Sequence, residues 1–74
     1  MLTKDISKTV KNALINAIKK RFNNEYIKYI VLNSNNENTT FQLYSIKNDK
    51  LGQITIYHNS TQEFIDCVEY SKKG

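Results

Sequence analysis

The sequence predicts a small α+β domain: an N-terminal amphipathic helix packed on a three-stranded antiparallel sheet, closed by a C-terminal helix. Three observations carry this. Apolar residues recur at helical spacing in the first quarter of the chain. Three β-rich or alternating runs follow, separated by polar turns. A final short apolar run opens on Ser60-Thr61-Gln62-Glu63, the form of a helix capping box. The expected order is α-β-β-β-α, and α-β-β-β-β is the alternative.

The first helix is expected from Lys4 to Phe22. Ile6, Val10, Leu14, Ala17 and Ile18 form its apolar stripe, with Ala13 between them. Thr3 is a suitable N-cap, and Asp5 would sit at the positive end of the helix dipole. Lys19, Lys20 and Arg21 would occupy the last turn, where cations are favoured. Asn23-Asn24 tolerates the left-handed conformation that ends helices.

Tyr26 to Leu32 is rich in β-branched and aromatic residues and apolar on both faces, so it reads as a central strand. Asn33 to Asn38 is a polar turn. Thr40 to Lys47 and Leu51 to Tyr57 alternate in polarity and are joined by Asn48-Asp49-Lys50, which makes a hairpin. Phe41, Leu43, Ile54 and Ile56 would face the helices, with Gln42, Tyr44, Ile46, Gln53, Thr55 and Tyr57 on the other side. Over 61 to 71, Phe64, Ile65, Cys67, Val68 and Ser71 fit one helical face. A strand would put Asp66 on the same face as Phe64 and Val68, so a helix is favoured.

The 74 residues suffice for one domain, spanning 1–74. With 39% hydrophobic and 24% charged residues it suits a folded chain rather than a disordered one. A domain this short buries only roughly 60% of its unfolded surface, so packing is marginal and a homodimer is a natural expectation. Cys67 is the only cysteine and His58 the only histidine, which leaves too few ligands for a structural zinc site. No cofactor is expected. No apolar run approaches membrane-spanning length. Lys4, Asp5, Lys8 and Lys11 interrupt any leader-like segment, so a cytoplasmic location is expected. Abundant Asn, Lys, Ile and Tyr without Pro or Trp point to an AT-rich coding genome, such as that of a phage or mobile element.

The net charge of +4 is unevenly spread. Nearly all of it resides on the first helix, whereas residues 61 to 70 carry Glu63, Asp66 and Glu69 and no cation. Lys4, Lys8, Lys11 and Lys19 fall in one stripe at the border of the apolar face, with Ile15 among them. Such a row can track a phosphate backbone, and the plainer reading is a solvated face whose lysine stems cover apolar surface. Lys20 and Arg21 extend the cationic set. A second candidate surface is the open sheet face. There Tyr29, Tyr44 and Tyr57 would form an aromatic platform for bases, or a patch for a partner or a second copy.

Catalytic signals are weak. His58 follows a strand with no nucleophile, metal spacing or Gly-rich loop around it, and Cys67 falls on an expected buried face. The element order resembles double-stranded-RNA-binding domains and small toxins of the HicA kind. The basic helix start of the former and the Gly-Ser-His triplet of the latter are not found here, and topology alone does not imply function. The expected function is therefore a non-enzymatic binding protein that occupies nucleic acid or a host protein that handles it. An anti-CRISPR-like inhibitor of a defence nuclease is the alternative, and a small ribonuclease toxin stands third.

Overall fold

A computed structural model describes residues 6–22 and 27–72. One helix, α1 (Lys8–Phe22), is followed by four strands: β1 (Lys28–Ser34), β2 (Asn38–Tyr44), β3 (Lys50–His58) and β4 (Ile65–Ser71). The strands form one antiparallel meander in the order β1-β2-β3-β4. The helix lies on one face, over β3 and β4. Val10 and Leu14 project from it onto Phe41, Leu43, Ile54 and Ile56, and these six are the fully buried core.

The helix starts at Lys8, later than the expected Lys4, because Ser7 is the residue that caps it. Its Oγ accepts from the Val10 amide at 3.1 Å and its carbonyl accepts from the Lys11 amide at 3.0 Å. Thr3 and Asp5, expected to begin the helix, lie outside the described residues, as do Lys4, Asn23 and Asn24. Ser7 is also tied to the β3–β4 loop. Its amide donates to the Gln62 side-chain Oε1 at 2.9 Å, and its hydroxyl donates to the Gln62 carbonyl at 2.8 Å.

The final segment is a strand, not a helix. Asn59 folds the preceding loop, its side-chain oxygen accepting from the amides of Glu63 and Phe64. Gln62 adopts a positive φ of 61°, which helix continuation forbids. The β3–β4 register slips between Tyr57 and His58, so that Asp66 is the extra residue of a bulge. The bulge lets Ile65 and Val68 pair with His58 and Ile56, which lie on the same face of β3. Two residues three apart on one face imitate helical spacing. Cys67, expected to be buried, instead lies opposite Tyr57 and is exposed.

The other strands shift by a few residues from their expected ranges. β1 is an edge strand rather than a central one. Its apolar residues divide: Tyr29 and Val31 sit against Leu43 and Phe41 on the helix side, while Ile30 and Leu32 remain about half exposed on the other. Ile46 lies in the β2–β3 turn, beyond the sheet. There Ser45 accepts from the Asn48 amide through its carbonyl, and Asn48 takes a φ of 71°, which Asn tolerates well.

Two polar groups enter the core side without being orphaned. Thr39 is fully buried, and His58 is 6% exposed. The Asn59 carbonyl can only accept, so in the neutral ring His58 Nδ1 donates to it at 2.7 Å. Nε2 then accepts from Thr39 Oγ1 at 2.8 Å, and Thr39 Oγ1 accepts in turn from Ser34 Oγ at 3.0 Å. The chain of bonds runs across three strands and closes the end of the sheet.

Gly52 is fixed at the opposite end of β3. Its φ is 138°, and a Cβ there would lie 2.6 Å from the Ser71 carbonyl oxygen and 2.9 Å from the Tyr70 hydroxyl. The backbone of β4 cannot yield without breaking its pairing with β3. Gly52→Ala is therefore expected to cost about 2 kcal/mol or more, lowering Tm by roughly 10 °C in a domain this size. Thermal unfolding followed by circular dichroism measures this, and a change of only a degree or two would show that β4 does not press on Gly52.

Candidate functional site

At about 100° per residue, Val10 and Leu14 mark the buried arc of α1, and the remaining positions divide around it. Lys8, Lys11 and Lys19 are exposed on the outward crest, with Ile15 among them. The expected stripe is thus present over its described members, but it rides on the crest rather than bordering the core. Lys8 and Lys19 are about 16 Å apart along the axis at 1.5 Å per residue. Lys20 projects from the flank that faces β4. No carboxylate lies anywhere in α1, whose sequence is KTVKNALINAIKKRF.

The seam between α1 and β4 is not filled. A groove of about 340 Å³ opens there, lined by Ala13, Asn16, Ala17, Lys20, Arg21, Val68 and Tyr70. A second of about 610 Å³ adjoins it, lined by Lys20, Arg21, Phe22, Tyr70 and Lys72. Lys20, Arg21 and Tyr70 are common to both, so the two form one trough. Ala13, Ala17 and Val68 give it apolar surface, Lys20 and Arg21 of α1 and Lys72 just past β4 give it three cations, and no acid lines it.

Tyr70 sets the shape of this trough. Its hydroxyl donates to the Leu51 carbonyl at 2.8 Å, which anchors the ring across β3. Phe22 meets the ring edge-on at a centroid distance of 5.9 Å. The Arg21 guanidinium carbon lies 4.7 Å from the ring centroid, a cation–π contact that holds the positive charge at the rim. One ring face is thus occupied. Tyr70 is not among the expected site residues, because a helix over 61 to 71 gives it no place beside α1. With β4 recognised as a strand, alternation would have put Val68 and Tyr70 on the helix side.

The expected tyrosine platform does not form. Tyr29 lies on the helix side of the sheet, with its ring 5.6 Å from that of Phe41 in an edge-to-face pair. Tyr44 and Tyr57 share the open face but stand at opposite ends of it, opposite Lys50 and Asn38 respectively. At about 3.3 Å per strand residue they are roughly 20 Å apart. Between them lies a polar row rather than an aromatic one. Gln42 donates to the Gly52 carbonyl at 2.8 Å, Gln53 donates to Gln42 Oε1 at 3.3 Å, and Thr40 and Thr55 share a bond at 3.2 Å. Tyr57 donates its hydroxyl to Glu69 at 3.1 Å.

Among the described residues no group of three His, Cys, Asp or Glu is placed to hold a metal. No described helix is long and apolar enough to cross a membrane. No protein-family model, curated protein or solved structure matches the chain.

The hydrogen bond to Glu69, and then its negative charge, raise the Tyr57 pKa above the ordinary phenol value. Both causes favour the neutral phenol. The contribution to stability is therefore present below the ordinary phenol pKa and fades as pH rises through the folded value. Glu69→Gln removes the charge while keeping an acceptor. The Tyr57 ring signals, followed by NMR against pH, are expected to titrate at lower pH in this variant. An unchanged midpoint would mean that the Tyr57–Glu69 bond does not persist in solution.

Proposed function

We propose that this chain is a non-enzymatic binding protein whose cationic helix and α1–β4 trough hold the phosphate backbone of a nucleic acid. One observation carries the reading. The helix cations, unaccompanied by any helix carboxylate, are joined across an open trough by Lys72, the residue that follows β4. Counterions released from phosphates by such a set supply sequence-independent affinity. The negative end of the α1 dipole lies at this end of the helix, so anion binding here depends on the side-chain charges.

The tied tyrosines turn the weight of the proposal from the sheet face to the helix. Tyr57 is held beside a carboxylate, and Tyr29 is committed to the core side. A non-catalytic role is supported by His58, whose two ring nitrogens both have partners within the fold. A second reading rests on Ile30 and Leu32, 48% and 47% exposed on the open face of an edge strand. These would suit docking on a host protein, a defence nuclease included. In that case Ile30→Ser with Leu32→Ser would abolish the complex while changes in α1 would spare it.

Fluorescence anisotropy with a labelled oligonucleotide across a salt series tests the main reading. Affinity is expected to fall steeply with salt. The combined variant Lys19→Gln, Lys20→Gln and Lys72→Gln should reduce the slope of log affinity against log salt by about two. Salt-independent binding, or a slope unchanged in the variant, would overturn the assignment.

A further inference from the structure

We infer that the trough selects single-stranded nucleic acid, taking one unpaired base into the slot between α1 and β4 while the rim cations hold its flanking phosphates. This rests on the nucleic-acid reading above and adds to it the strandedness of the ligand and the role of the slot.

The slot has the attributes such a ligand requires. Ala13 and Ala17 remove side-chain bulk from one wall of α1, and Val68, 39% exposed, forms the facing wall on β4. The resulting space, about 340 Å³, exceeds that of one planar base and is open on one side for the strand to enter and leave. Apolar walls on both sides of a slot suit the faces of a base, which contact such surfaces without regard to sequence. Lys20 and Arg21 stand at its rim, and the adjoining space brings Lys72 within the same run of backbone. Asn16 adds an uncharged polar side chain to the α1 wall. Its amide both donates and accepts, which matches the edge of a base rather than a phosphate.

A duplex cannot use this slot without extruding a nucleotide, at a cost of a few kcal/mol in lost stacking and pairing. It would meet the cations only from outside. The crest lysines Lys8, Lys11 and Lys19 serve either form equally, because they present charge without a cavity. Strand preference is therefore a property of the slot alone.

The test measures affinity for three labelled oligonucleotides of one length: a single strand, its duplex, and a single strand in which abasic sites replace the nucleotides. The expected order places the intact single strand roughly tenfold or more ahead of the other two. Val68→Phe fills the slot without altering charge. It should remove this advantage and leave duplex binding unchanged, with thermal unfolding recorded to confirm the fold. Asn16→Ala, an exposed change, should weaken only the intact single strand. Equal binding of all three oligonucleotides would overturn the slot and leave the electrostatic reading standing. Failure of every oligonucleotide to bind would overturn both.

Discussion

The helix is pinned to one half of the sheet at both ends, and everything of functional interest follows from that constraint. At its start, Ser7 caps α1 and is bonded twice to Gln62 in the β3–β4 loop. At its end, Arg21 lies over the ring of Tyr70 and Phe22 makes a T-shaped pair with it. Tyr70 in turn bonds across to Leu51, and its hydroxyl stands within 2.9 Å of where a Cβ on residue 52 would lie. Between these fixed points Val10 and Leu14 supply burial, at about 25 cal/mol per Å² of apolar surface removed from water. The small residues Ala13 and Ala17 do not fill the seam beside them, and the trough is what remains.

This arrangement also explains how so short a chain forms a core. The six fully buried apolar residues come from α1, β2 and β3, and both edge strands contribute partners that are only partly covered. Polar order supplements them at the ends of the sheet. The Ser34–Thr39–His58 chain joins β1, β2 and β3 at one end, and the Gln42–Gly52 and Tyr70–Leu51 bonds join β2, β3 and β4 at the other. Each is a hydrogen bond worth on the order of 1 kcal/mol net. They reinforce the register that the one-sided apolar pattern of β2 and β3 already sets.

Much of this was legible in the residues. The apolar spacing of α1, the β2–β3 hairpin and the inward set Phe41, Leu43, Ile54 and Ile56 all follow from periodicity, and the structure shows each of them. Periodicity failed where a bulge broke it. Asp66 inserts one residue into β4, so Ile65 and Val68 acquire a helix-like separation in a strand. A helix over 61 to 71 likewise gives no reason to place Val68 and Tyr70 beside α1, where they line the trough. Tyr29 was assigned to the wrong face because both faces of β1 are apolar, which leaves alternation without a signal. The cations of α1 were visible at once, but their division into a crest and a β4-facing flank required the position of the core.

The proposed working surface is the α1–β4 side and not the open face of the sheet. Backbone amide shifts of the labelled protein, titrated with a single-stranded oligonucleotide, discriminate between them directly. With the ligand in the trough, perturbations are expected to gather at Asn16, Lys20, Arg21, Val68, Tyr70 and Lys72 and to leave Ile30, Tyr44 and Thr55 unmoved. Perturbations centred on Ile30, Tyr44 and Thr55, with the helix flank silent, would contradict it.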